Sequence, residues 1–307
     1  MEIIFGLFFG LVVGLVGLIF ILKLVGRIFH PRTIGIPAQT KEMKPVETVT
    51  VCQFNPQWGI GSSIEGVSQI LHYDILVLTQ VPSVIGSPLN SFIKLCVQNG
   101  FKCVCPFQPA PVTSTAFFSG GVVVLSKLPI TESDCYQFQL SIGKDMFLHK
   151  GILYTKVNIS ETHYFHLFST LFQDSNSGTP AEARTIHNCE CRELGKFMKF
   201  KLADGQPAVV AGNFFIDANS EESSSRQSTS EYNYLMKNLS LENYEVEDAA
   251  YSSLGKHPVT CNNGKSIDYI ILERTRAVES QSTSILPLNA PHNAVVTQIK
   301  FTTKESI

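Results

Sequence analysis

Pro207-Ala-Val-Val-Ala-Gly-Asn-Phe-Phe-Ile-Asp217 is a short apolar run that reaches a glycine and then presents an amide and two aromatic rings. Ala208 to Ala211 has the continuous apolar character of a strand buried on both faces. Open α/β sheets place their chemistry just beyond the carboxyl ends of such strands. The glycine predicts a turn, and Asn213, Phe215 and Asp217 are then the side chains offered to a site. Spaced two apart, they point the same way if the extended geometry persists.

Alternating helices and strands flank this run. Thr179-Pro180-x-Glu182 is a capping box that opens an amphipathic helix to about Leu202, with Gly205 beyond its end. Gly151 to Asn158 and Tyr164 to Thr170 predict a strand pair before it. The Ser-rich, low-complexity stretch from Asn219 to Ser230 and a short helix from Glu231 to Leu239 follow it. Strands are predicted over Thr48–Phe54, Asp74–Leu78, Lys102–Phe107, Ser119–Ile130 (with a turn at Lys127–Pro129), Ser266–Leu272 and Val295–Phe301. Helix-like segments lie at Ser63–Leu71 and from Ser87-Pro88 to Gly100. This order implies a mixed α/β domain with more than one sheet.

The chain has 307 residues, 16% of them charged, and a formal net charge of -2. That balance lacks the basic field of a general nucleic-acid binder, so no nucleic-acid partner is expected. Ile3 to Leu22 is an unbroken run of apolar residues and glycine. At about 1.5 Å per residue such a helix crosses a bilayer core. Lys23, Arg27, His30 and Arg32 follow the run and only Glu2 precedes it, which places the remainder on the cytosolic side of a single-pass membrane protein. A cleaved signal peptide would want a positive leading segment and a shorter core. Residues 1–30 are therefore read as an anchor with a basic flank, 31–47 as a linker and 48–303 as the domain. Eight cysteines fit no disulfide framework in a domain of this size and are expected to be buried thiols.

Several strand ends carry a resemblance. Phe54-Asn55 with Trp58-Gly59-Ile60, Asp74-Ile-Leu-Val-Leu78, Ser119-Gly-Gly-Val-Val-Val-Leu-Ser-Lys-Leu-Pro-Ile130, Lys150-Gly-Ile-Leu-Tyr-Thr-Lys-Val157 and Ile267-Asp-Tyr-Ile270 occur in that order. Together they resemble the endonuclease/exonuclease/phosphatase superfamily, and within it the membrane-bound neutral sphingomyelinases. The resemblance implies a four-layer sandwich of two mixed β-sheets flanked by helices, to which the apolar run adds one N-terminal transmembrane helix. It also implies Mg²⁺-assisted attack of water on a phosphodiester, in which a carboxylate holds the cation and an oriented base activates the water.

Carried over residue by residue, the resemblance gives Asn55 a place by the metal and phosphate. It puts Gln80 where the metal-binding Glu stands and Leu171 where a phosphate-contacting His stands. Asn213 replaces the catalytic Asp, Phe215 the phosphate-binding Asn, and Pro291 the Asp of the closing Asp-His pair. Asp268 and His292 match the acid that orients the base and the base itself. Asp145 and Lys150 match an Asp–Lys pair that controls the site in lipid-regulated sphingomyelinases. Metal donors would be Asn55, Gln80 and a displaced carboxylate from Asp217.

Gln and Asn keep the shape of Glu and Asp but remove the charge that draws Mg²⁺ from water. Two lost interactions of about 3 kcal/mol each would slow the reaction roughly ten-thousand-fold. The leading expectation is thus a membrane-anchored, sphingomyelinase-like protein with little or no hydrolytic activity, acting by binding membrane lipid (sphingomyelin or an anionic phospholipid) or a protein partner. An active Mg²⁺-dependent phosphodiesterase with a rebuilt metal site is the alternative. A tethered scaffold whose cleft is filled by Phe214 and Phe215 is a third reading.

Overall fold

A computed structural model describes residues 2–28, 30–35, 43–58, 64, 66–81, 88–111, 114–220, 230–240, 244–273 and 278–301. The expectations for Gly59-Ile60, for the Ser87 cap and for the centre of the Ser-rich stretch lie outside these residues. In chain order the elements begin with α1 (Glu2–Ile28), β1 (Thr48–Phe54), a 3-10 turn (Val67–His72), β2 (Ile75–Leu78), α2 (Leu89–Gln98) and β3 (Cys103–Pro106). There follow β4 (Phe118–Ser119), β5 (Val123–Ser126), β6 (Ile130–Gln137), a second 3-10 turn (Gly143–Phe147), β7 (Leu148–His149), β8 (Gly151–Asn158) and β9 (Tyr164–Leu171). The chain continues through α3 (Pro180–Lys201), β10 (Ala208–Asn213), α4 (Glu231–Leu239), β11 (Val246–Asp248) and α5 (Ala249–Leu254). It closes with β12 (Asp268–Glu273), β13 (Val278–Leu286) and β14 (Ala294–Phe301).

Two six-stranded mixed sheets carry the domain, in the orders β13-β14-β1-β2-β5-β3 and β11-β12-β10-β9-β8-β6. Strand alternation sorts their side chains into layers. Val49 and Val51 of β1 meet Val209 and Ala211 of β10 and Ile270 of β12 between the sheets. Cys52 and Phe54 turn outward under the 3-10 turn and Phe92 of α2. Val210, Phe168 and Ile271 turn outward under Leu194 and Met198 of α3 and Leu235 of α4. The result is helix, sheet, sheet, helix, as expected. Six cysteines are buried, while Cys135 and Cys189 are half-buried.

Local chemistry explains the elements. Thr179 accepts from the Glu182 amide and the Glu182 carboxylate accepts from the Thr179 amide, so the expected capping box opens α3. Gly212 makes no turn: it lies inside β10, paired with Thr170 and Tyr269. A Cβ there would collide with the Thr170 carbonyl, so close approach of β9 requires the glycine. The Ser119–Ile130 stretch divides at the Lys127–Pro129 turn, β5 joining one sheet and β6 the other. Helix α1 is long and apolar enough to cross a membrane; Phe8, Leu11, Leu15 and Leu18 are exposed on it, while Lys23 near its end is buried. Parts of the predicted linker adhere to the domain: Ile34 bridges Val104, and Val46 donates to the Ile159 carbonyl.

Candidate active site

Inward alternation continues to the ends of the strands and brings polar groups together between the sheets. Gln53 follows Val49 and Val51 on the inner face of β1, Asn213 follows Val209 and Ala211 on β10, and Asp268 precedes Ile270 on β12. Asp268 is the hub. Its Oδ1 accepts from Asn213 Nδ2 at 2.8 Å and from Gln53 Nε2 at 3.1 Å, and its Oδ2 faces His292 Nδ1 at 2.6 Å. With His292 Nδ1–H donating to Asp268, Nε2 is left as an acceptor, which the Gln57 side-chain amide fills at 2.9 Å. His292 itself is held by a bridge to Cys261.

Asn55 is fully buried, and its neighbours fix the direction of its amide. The Gln57 backbone N–H donates to Asn55 Oδ1 at 3.2 Å, so Nδ2 faces Gln80 and donates to Gln80 Oε1 at 2.7 Å. Gln80 therefore turns its carbonyl to the protein, and its own N–H groups remain for the cleft.

The cleft above these groups has a volume of about 430 Å³ and is lined by Gln57, Gln80, Trp58, Phe215, Lys144, Lys265 and His292, among others. Among the described lining residues its one acid is Asp174, paired with Lys144 at 2.7 Å. Among the described residues the non-glycine positions with positive φ are Gln57 (51°), Gln80 (52°) and Phe215 (53°). All three line the cleft. Each follows the end of a strand (β1, β2 or β10), and such left-handed residues concentrate where function requires a particular side-chain direction.

The kink at Phe215 ends the extended geometry from which the direction of Asp217 was projected. The strand ends at Asn213, alternation stops, and the Asp217 carboxylate accepts from the amides of Asn219 and Ser266. Phe214 packs outward against Phe172 at 4.9 Å, so it does not fill the cleft. Leu171 sits in the inter-sheet core with no polar role, and the Pro291 carbonyl accepts from the Asn262 amide.

Asp145 and Lys150 form a buried ion pair at 2.7 Å at the cleft's edge. Asp145 also accepts from the Asp174 amide and the Ser177 hydroxyl, while Lys150 approaches Glu190 at 3.9 Å. Glu190 accepts from the Gln173 amide, and burial pushes its carboxyl up to about 7 against the pull of Lys150 and His187. Beside it, both His187 nitrogens face acceptors, the Gln173 carbonyl at 2.7 Å and Glu231 at 3.0 Å. Burial depresses His187, but Glu231, Glu190 and the Gln173 carbonyl hold it above its ordinary value, which favours the imidazolium. Gln53, Gln57, Gln173 and Glu190 were not singled out from the sequence. Gln53 had a signal, a polar side chain on an apolar strand face, whereas Gln57 is placed by a backbone kink that leaves none.

No family model matches the chain. A sphingomyelinase of Dictyostelium discoideum is 31% identical over 127 residues, which is 39% of this chain and 28% of that protein. A sphingomyelinase C of Bacillus cereus is 31% identical over 169 residues, 52% of this chain and 49% of the relative. The matches thus span half or less of the length of these curated relatives. Among solved structures, a magnesium-bound beta toxin of Staphylococcus aureus superposes with a TM-score of 0.60 at 16% identity, covering 81% of this chain and 98% of the toxin. An endonuclease/exonuclease/phosphatase protein of Beutenbergia cavernae gives 0.60 at 15% identity, covering 83% and 72%. The chain is similar to sphingomyelinases and has the endonuclease/exonuclease/phosphatase fold.

In this sphingomyelinase-like chain the donors do not fit a magnesium ion. Mg²⁺ takes oxygen ligands, usually with a carboxylate, in near-octahedral order. The Gln80 oxygen belongs to a neutral amide and already accepts from Asn55, and both Asp268 oxygens face Asn213, Gln53 and His292. Asp174 pairs with Lys144 and Asn176, so each candidate oxygen has a competing partner. Among the described residues no three His, Cys, Asp or Glu side chains converge as a metal cluster.

Proposed function

We propose that this chain is a membrane-anchored sphingomyelinase-like protein that holds a phosphate-bearing lipid headgroup in its cleft without hydrolysing it through magnesium. The observation that carries the reading is the Asn55–Gln80 pair. It reverses the polarity of the position where the family's metal-binding Glu stands, turning N–H donors rather than a carboxylate toward the ligand. Beyond the Lys144–Asp174 pair, Lys265 adds positive charge to the same cleft, which suits an anion. The apolar α1 supports an anchor, and the basic residues after it support a cytosolic domain.

The intact His292–Asp268 dyad favours a second reading, residual phosphodiesterase activity with His292 as base. One experiment separates the two. Purified full-length protein is assayed for phosphocholine release from sphingomyelin, with and without Mg²⁺, while soluble phosphocholine is titrated against the emission of Trp58, the single tryptophan and a cleft residue. Saturable quenching without hydrolysis is expected. Mg²⁺-dependent release abolished by His292→Ala would overturn the binding-only reading.

A further inference from the structure

The last turn of α1 is stitched to a loop of the domain. Arg27 donates to the Ala110 carbonyl through both Nε and Nη2 at 3.3 Å, Lys23 donates to the Ser114 carbonyl, and Lys23 lies 5.8 Å from the centre of the Phe117 ring. The uninterrupted apolar run ends at Leu22, so this contact marks where a spanning helix would leave the hydrocarbon. Phe117 in turn stacks on Phe147, with ring centres 5.3 Å apart and planes 12° apart.

From Phe147 the surface stays apolar and uncovered. Leu140, Met146 and Phe147 are 50%, 44% and 43% exposed, although each is a side chain that folding normally hides. They belong to one surface: Leu140 and Met146 line a crevice of about 90 Å³ together with Ser114 and Ala116 of the loop that holds α1. The same 3-10 turn carries Lys144, a wall of the cleft, and Asp145, the partner of Lys150.

We infer that Leu140, Met146 and Phe147 form a membrane-docking face that lies in the interfacial region of the bilayer from which α1 emerges, and so presents the cleft mouth to lipid headgroups. The occupant is a lipid surface rather than a second protein because the patch is continuous, through Phe117, with the end of a helix whose sides are apolar and unpacked. Lys23, Arg27 and Lys144 border it, as cations border interfacial segments. The inference rests on the anchored, lipid-binding reading above and adds which face meets the membrane.

The test uses the full chain reconstituted in phosphatidylcholine–phosphatidylserine vesicles, with Phe147→Trp as reporter in a Trp58→Phe background. Carbonate-resistant flotation reports the anchor, and quenching by lipids brominated at shallow or deep acyl positions reports the face. Flotation together with loss of emission, greater for the shallow bromines, is expected. Flotation with emission unchanged by either lipid overturns the docking face and leaves the anchor standing. Failure to float overturns both. Leu140→Ser/Met146→Ser added to the reporter chain should weaken the quenching while flotation persists, and unchanged quenching would count against the patch.

Discussion

The Asn55 amide donates to the Gln80 carbonyl at 2.7 Å, and a backbone N–H on Asn55 Oδ1 prevents the pair from flipping. A carboxylate at position 80 could accept the same bond with one oxygen and offer the other to a cation. Gln80→Glu is therefore expected to create Mg²⁺ binding at millimolar concentration, measured by calorimetry against a parent that shows none. Adding Asn213→Asp and Phe215→Asn is expected to bring sphingomyelin hydrolysis above the parent's. Calorimetric Mg²⁺ binding by the parent equal to that of Gln80→Glu would refute the donor-set argument.

Asp268 gathers three donors in a buried setting, and its charge is what holds them. Asp268→Asn puts an N–H against at least one of Gln53, Asn213 and His292. A hydrogen bond to a buried charge is worth about 1.5–3 kcal/mol, so a loss of about 3 kcal/mol is expected in thermal or denaturant unfolding of the detergent-solubilised chain. The His292 tautomer should change as well, visible in ring-nitrogen chemical shifts. Unchanged stability with an unchanged tautomer would mean that the dyad is not held by charge.

How much of this was legible beforehand differs by residue. The layers were, because Val49, Val51, Val209 and Ala211 announce buried strands and Thr179 with Glu182 announces the helix between them. β13 was not, since Val-Glu-Ser-Gln-Ser-Thr-Ser-Ile-Leu has no apolar alternation and owes its place at the sheet edge to pairing with β14. At the site, Asp268 and His292 were found through their motif. The three left-handed residues were not, because Gln and Phe carry no preference for that conformation and only the surrounding packing imposes it. The direction projected for Asp217 was illegible for the same reason: it assumed a strand that the Phe215 kink ends.

Lys150 is buried between two acids, at 2.7 Å from Asp145 and 3.9 Å from Glu190. Removing one partner of a buried pair costs about 3–5 kcal/mol, because the remaining charge is left without compensation. Lys150→Met is expected to destabilise the domain on that scale. Asp145→Asn/Lys150→Met together should cost less than the sum of the single changes. A double-mutant cycle in thermal unfolding measures the coupling, and strict additivity would show that the pair does not act as a unit.

The ionic cluster behind Lys150 sets a pH dependence whose sign is fixed. Glu190 has its folded-state pKa raised to about 7 by burial, above the ordinary 4.5. His187 is also raised, since Glu231, Glu190 and the Gln173 carbonyl outweigh its burial. For a group raised on folding, the native state binds more protons than the unfolded chain between the two pKa values. The stability each supplies is complete below its unfolded value, 4.5 for Glu190 and 6.5 for His187, and is lost as pH rises through its folded value. The charges facing His187 are Glu190 on its own helix and Glu231 on α4, while Lys150 and Asp145 face Glu190. The contribution of this cluster to stability should therefore fall between pH 5 and pH 8, with Glu190 supplying at most about 3 kcal/mol of that decline. Glu190→Gln removes its share and should make the melting-temperature profile shallower, with His187 and Glu273, whose carboxyl burial pushes up to about 8, supplying further decline. A profile equally steep in Glu190→Gln and the parent would place the titration elsewhere, and a parent-minus-variant difference that rises with pH over the same range would contradict the sign for Glu190.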